Sequence, residues 1–192
     1  VKITPNQLTV ARIVLAFLTF YLILNPSIWF KIAAFVVFTA AALTDLWDGR
    51  LARKGGMITN FGKILDPIAD KILILGAFIC LTVLGAYPFW VLIPIFIREI
   101  GVTVLRLYFL RKNVVVAAEK SGKIKVVTQI VSLGITFFYI VNRDYTGSIS
   151  GWPDQTGVFL FASSYFCLAL ATYYSLISGW DFLKKNWRHI YA

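Results

Sequence analysis

Six long apolar runs dominate this chain, near residues 8–25, 30–52, 61–86, 88–110, 123–142 and 157–180. A helix needs about 20 residues to cross the hydrocarbon core of a bilayer. Short polar or turn-forming stretches separate the runs at Asn25–Ser27, Lys54–Gly56, Tyr87–Pro88 and Arg111–Asn113, and a longer one extends from Asn142 to Thr156. The fold expected is all-α: an integral membrane bundle of six transmembrane helices, built as a single domain over residues 1–192.

Composition supports lipid as the solvent. Apolar residues make up 59% of the chain and charged residues only 15%, against roughly 25% charged in a soluble domain. One small core cannot bury that excess. The net charge of +10 does not indicate nucleic acid, because too few polar residues remain to surround a soluble basic patch. Topology and anionic lipid headgroups account for it better. With the N-terminus inside, one side collects Lys2, Arg50, Arg53, Lys54, Arg111, Lys112, Lys120, Lys123, Lys125, Lys184, Lys185 and Arg188, and the other keeps Lys31 and Arg143. Both termini are therefore expected in the cytoplasm. Cys80 and Cys167 lie in separate apolar runs and read as thiols without a disulfide role. The first run is too long for the apolar part of a cleavable signal, so none is expected.

Four carboxylates stand out against this background. Asp45 and Asp48 close the second run, and Asp66 and Asp70 open the third. Ionisable groups in a membrane helix cost several kcal/mol each on insertion scales, and are functional by default. The spacings i,i+3 and i,i+4 put each pair on one helix face. The short connection suggests that the two helices are antiparallel neighbours, so that the pairs face each other. Four such carboxylates repel and would otherwise take up protons. Divalent cations relieve this, and an all-oxygen set prefers hard ions, Mg²⁺ or Mn²⁺. The lone His189 is far off in sequence, which argues against zinc or a di-iron bundle. The plainer alternative is that the aspartates are juxtamembrane charges paired with Arg50, Arg53, Lys63 and Lys71. Gly49, Ala52 and Gly62 leave room beside the carboxylates, or else serve close helix packing. Arg53 offers a planar donor fork suited to a diphosphate.

From Asp45 to Asp70 the chain spells D-x2-D-G-x2-A-R-x8-G-x3-D-x3-D. This resembles the signature of the CDP-alcohol phosphotransferase family, and its eight fixed positions make the likeness specific. The resemblance implies six transmembrane helices, a homodimer, and a site facing the cytoplasm at the cell inner membrane. It implies two metal ions held by Asp45, Asp48, Asp66 and Asp70 on the diphosphate of CDP-diacylglycerol, with Asp70 as the catalytic general base. Donor contacts implied are Asn6 and Thr9, from an N-x-x-T stretch, together with Gly49, Ala52, Arg53, Thr59 and Gly62. Without the family, the stretch Asn6–Thr9 would read as a helix cap.

The second half of the chain bears on the acceptor. Arg98 and Arg106 lie inside the fourth run, and Lys123 and Lys125 open the fifth. Buried arginines are costly unless they meet an anion. Singly, each could pair with Glu99 or an aspartate; together the four form a basic pocket for a phosphorylated acceptor. Ile97–Ile100, Glu119–Lys125 and Thr128–Gln129 resemble the branch of the family that uses sn-glycerol 3-phosphate, although Val126 stands where that branch commonly has Thr. Inositol phosphate or serine are the alternative acceptors. A cation transporter is a more distant alternative, and the apolar stretch from Ile72 to Val83 offers it no polar path. If Asp70 is the base, Asp70→Asn should retain donor binding and lose nearly all turnover; normal turnover would remove Asp70 from that role.

Overall fold

A computed structural model of the chain describes residues 5–55, 60–112, 120–149 and 155–190, and side chains within 9–43, 68–69, 71–109, 111–112, 122–147 and 155–187. Six α-helices follow one another: α1 Pro5–Leu24, α2 Ile28–Gly55, α3 Asn60–Val83, α4 Ile93–Arg111, α5 Lys120–Ile149 and α6 Gln155–Ile190. No strand occurs among the described residues. A single 3₁₀ turn, Phe89–Leu92, precedes α4.

Local chemistry sets the helix ends. Pro5 begins α1, where a missing N–H costs nothing. An Asx turn precedes α2: the Ser27 N–H donates to Asn25 Oδ1 at 3.1 Å, and the Ser27 carbonyl accepts from Phe30 and Lys31. The end of α3 is a Schellman motif. Gly85 N–H donates to Thr82 O at 2.8 Å and Ala86 N–H to Leu81 O at 3.0 Å. Gly85 has φ +76°, which a side chain would strain. Pro94 falls in the first turn of α4, where proline is tolerated.

Helices α5 and α6 form the broadest pair. α1 packs on both α2 and α3, α5 touches both of those, and α4 packs chiefly on α6. Among the described residues, α2 and α3 are joined through α1 and α5; the facing of their carboxylate-bearing ends concerns side chains outside the described set. The main core gathers Ile23, Phe38, Phe78, Leu81, Leu92, Ile95, Leu133, Phe137, Ile140 and Leu168. Small residues allow close approach. A Cβ on Gly76 would lie 2.0 Å from the Phe20 ring, so α1 and α3 meet at that glycine.

Five threonine hydroxyls inside the bundle are satisfied by their own helices. Thr19, Thr39, Thr82, Thr136 and Thr172 each donate to the carbonyl four residues earlier. This spares them a search for partners in an apolar surrounding. Large apolar side chains stand outward on all six helices, among them Phe17, Val36, Val83, Ile97, Phe138 and Phe166. A surface of this kind suits hydrocarbon rather than water. α5 and α6 contain stretches, Gly122–Gly147 and Gln155–Trp187, long and apolar enough to cross a bilayer, and α1, α2 and α3 contain shorter apolar stretches. Cys80 and Cys167 are both free thiols.

Two helices outrun their apolar runs. α5 continues to Ile149 through Asn142, Arg143 and Asp144, a part of the chain that polarity had marked as a connection. The reason is an ion cluster. Lys31, only 5% exposed at the start of α2, pairs with Asp144 Oδ2. Arg143 reaches Asp144 Oδ1 at 3.1 Å and donates through Nη1 to the Leu84 carbonyl at the end of α3, at 2.7 Å. Lys31 and Arg143, the two cations left on the sparsely charged side, therefore converge on one carboxylate and tie α2, α3 and α5 together. α6 likewise runs to Ile190 instead of ending near residue 180.

Asp144→Ala would leave Lys31 buried without this carboxylate. It should lower stability by about 3 kcal/mol, read as a reduced unfolding temperature in detergent. Lys31→Met combined with Asp144→Leu should recover most of that loss, because no buried charge is then stranded.

Candidate active site

The signature carboxylates lie on two helix ends. Asp45 and Asp48 belong to the last turns of α2, with Gly49, Ala52 and Arg53; Asp66 and Asp70 belong to the first half of α3, with Gly62. Helix α3 continues through Pro67. The side chains of these residues, and that of Asn6 on α1, lie outside the described set, as does Thr59 altogether. Thr9 is buried on α1, the helix that packs against both α2 and α3. Arg12, one turn further along α1, is also buried, at 6% exposure. Sequence reasoning passed over it, although a charged residue in an apolar run was a signal there to be used. Among the described residues no three His, Cys, Asp or Glu side chains group as a metal site would.

The structure does describe the surroundings that follow Asp70. Lys71 projects from α3 toward α4, where it donates to Thr103 Oγ1 and comes within 3.9 Å of Glu99 Oε2. Glu99 is 3% exposed and gathers charge from three helices. Its Oε1 accepts from Lys125 Nζ of α5 at 2.5 Å, from Arg98 Nη1 at 3.2 Å, and from Gln129 Nε2 of α5 at 3.2 Å. Arg98 also donates through Nη2 to Ser178 Oγ of α6 at 2.7 Å. Thr103 closes the group by donating to the Glu99 carbonyl at 2.6 Å. One cluster thus joins α3, α4, α5 and α6.

Of the four basic residues predicted for one pocket, Arg98 and Lys125 are brought together here. Arg106 lies two turns along α4, its guanidinium 5.9 Å from the centre of the Phe182 ring on α6. Its Nε is buried with no hydrogen-bond partner among the described residues. Lys123 is exposed on α5, as its two-residue offset from buried Lys125 requires. Two members were not foreseen in this role: Lys71, which had been weighed only as a partner of the aspartates, and Gln129. Gln129 follows helix periodicity, one turn after Lys125, as Thr103 does one turn after Glu99, whereas Lys71 is reached only because α4 approaches α3.

Three cations from α3, α4 and α5 surround one carboxylate. Donors this rich in positive charge suit a small anionic group, and they stand beside the α3 helix that carries Asp66 and Asp70.

A glycine makes room for Arg98. A Cβ on Gly179 would fall 2.9 Å from Arg98 Cγ, too near to be accommodated without a shift, whereas a Cβ on Gly122 would stand 3.9 Å from Ser178 Oγ in ordinary contact. Gly179→Ala should destabilise the protein by about 1–2 kcal/mol through overpacking. Gly122→Ala should be neutral or slightly stabilising. Unfolding temperatures of the two variants in detergent check the contrast.

Comparison with known proteins bears on the whole chain. Residues 2–180 match the CDP-alcohol phosphatidyltransferase family. The chain is 35% identical to the CDP-diacylglycerol–glycerol-3-phosphate 3-phosphatidyltransferase of Bacillus subtilis (strain 168), over 95% of this chain and 94% of that protein. It is 34% identical to the protein of the same name from Escherichia coli (strain K12), over 90% of each chain. It is 32% identical to that from Mycoplasma pneumoniae, over 98% of this chain and 89% of that one. With the carboxylate signature on α2 and α3 and the match running through all six helices, the chain belongs to the CDP-alcohol phosphatidyltransferase family.

Proposed function

We propose that this protein transfers the phosphatidyl group of CDP-diacylglycerol to sn-glycerol 3-phosphate, giving phosphatidylglycerophosphate and CMP. One juxtaposition carries the reading. The eight-position carboxylate signature lies on α2 and α3, and directly after Asp70 begins a cluster of three cations around Glu99. The first feature suits a nucleotide diphosphate donor, the second an anionic acceptor. The names of the relatives supply the particular acceptor.

The setting is a six-span membrane bundle with both termini in the cytoplasm, in the cell inner membrane, assembled as a homodimer. The outward apolar side chains on every helix support the membrane part of this reading, and the unequal distribution of Lys and Arg supports the orientation.

Asp45, Asp48, Asp66 and Asp70 would hold two divalent ions, Mg²⁺ or Mn²⁺. Their donor set is entirely carboxylate oxygen, which fits hard cations. Such ions neutralise the donor diphosphate and the departing phosphate oxygen. Asn6, Thr9, Gly49, Ala52, Arg53, Thr59 and Gly62 receive the cytidine diphosphate part of the donor. Arg98, Arg106 and Lys125 draw in the acceptor phosphate, with Lys71 beside them, whereas Lys123 faces away from this group. Arg106 supports this with a buried Nε that lacks a partner among the described residues. Asp70 accepts the proton of the acceptor hydroxyl. That oxygen bonds to the phosphorus bearing the diacylglycerol, the bond from this phosphorus to the CMP oxygen breaks, and CMP leaves.

The test is CMP release by purified protein with CDP-diacylglycerol and Mg²⁺ across a panel of acceptors. Release should require glycerol 3-phosphate and stop when the metal is chelated. Release with serine or inositol phosphate instead would replace the acceptor, and release unaffected by chelation would remove the metal.

A further inference from the structure

Sequence reasoning named Glu99 only as one possible partner for the basic residues. In the fold it is the point where side chains of α3, α4 and α5 converge. Its Oε1 takes three donors, Lys125, Arg98 and Gln129, while Oε2 faces Lys71 on α3. Gln129 is itself 1% exposed. Thr103 adds a backbone link, accepting from Lys71 and donating to the carbonyl of Glu99. Arg98 is held from its other side by Ser178 and fitted against Gly179.

We infer that Glu99 is a positioning residue for the acceptor: its carboxylate holds Lys125 and Arg98 in the geometry that receives the phosphate and ties both to Lys71, the residue after Asp70. The inference rests on the acceptor proposed above.

The chemistry favours this over a simple counter-ion. A counter-ion for Arg98 would need only Arg98. Here cations from α3, α4 and α5 converge on one carboxylate, a donor set that suits the charged oxygens of a phosphate monoester. A lysine has four rotatable stem bonds, so an unheld ammonium must be ordered when the phosphate arrives. Held on Glu99, Lys125 is ordered in advance. Without the carboxylate, the three neighbouring cations would repel, and they would splay or lose protons. The link through Lys71 also makes the same residue set the distance between the acceptor-holding helices α4 and α5 and the helix of the base.

The inference predicts a split in kinetic constants. In purified protein assayed for CMP release, Glu99→Gln should raise the KM for glycerol 3-phosphate at least 20-fold. The KM for CDP-diacylglycerol should stay within twofold, and kcat should fall less than the acceptor KM rises. Glu99→Asp should recover part of the loss. Glu99→Gln and Lys125→Met should combine less than additively on acceptor KM, because both remove one unit. An unmoved acceptor KM in Glu99→Gln, or donor and acceptor KM rising alike, would overturn the inference. If Glu99→Gln does not yield folded protein, Gln129→Leu keeps every charge and removes only an amide donor to Oε1. It should raise acceptor KM three- to fivefold with donor KM unchanged, and a wild-type acceptor KM there would also overturn the inference. A wild-type protein that releases CMP only with an unphosphorylated acceptor would instead defeat the acceptor reading itself, and this inference with it.

Discussion

A charge taken out of water must find its compensation inside the protein. That constraint organises the bundle. At one end Lys31 and Arg143 settle on Asp144, and Arg143 also completes the last turn of α3 by donating to the Leu84 carbonyl. Elsewhere Lys71, Arg98 and Lys125 settle on Glu99. Each cluster draws on helices distant in sequence. A stranded partner in either is far more costly than the pair is stabilising, so the clusters specify which helices meet more than they add to net stability.

Between the clusters the helices need few polar contacts. Threonines return their hydroxyls to their own backbones, and small residues let helices approach closely, most tightly where Gly76 faces Phe20. The aromatic residues then fill the space: Phe137 of α5 lies 5.7 Å from Phe35 and 5.8 Å from Phe38, both on α2. This packing fixes where α4 and α5 present Glu99 and Lys125, and so links the apolar interior to the charge arrangement beside Asp70.

The two halves of the proposed site were legible to different degrees. The proposed donor half is local: Asp45, Asp48, Gly49, Ala52, Arg53, Gly62, Asp66 and Asp70 fall within one short segment whose spacing can be read directly. The proposed acceptor half is not. Arg98, Lys123 and Lys125 were visible as charges in or beside apolar runs, but nothing in their spacing shows that Lys125 turns inward to Glu99 while Lys123 faces out. Lys71 had a nearby alternative in the aspartates, and only the approach of α4 to α3 gives it to Thr103 and Glu99. Polarity also misplaced an end. Residues from Asn142 onward read as a connection because an unpaired Arg143 and Asp144 would end an apolar helix; paired with Lys31 and Leu84, they extend it.

The sequence by itself determined the apolar character, the all-helical class, the six elements and the family chemistry, because hydropathy and short-range spacing are properties of neighbours along the chain. Tertiary structure alone decided which charge meets which. Lys31 and Asp144 are 113 residues apart, and Arg98 and Ser178 are 80 apart. Coulombic and hydrogen-bond partners are chosen by distance in space, and in this bundle the packing of α2, α3 and α6 on α5, and of α4 on α6 and α3, sets those distances.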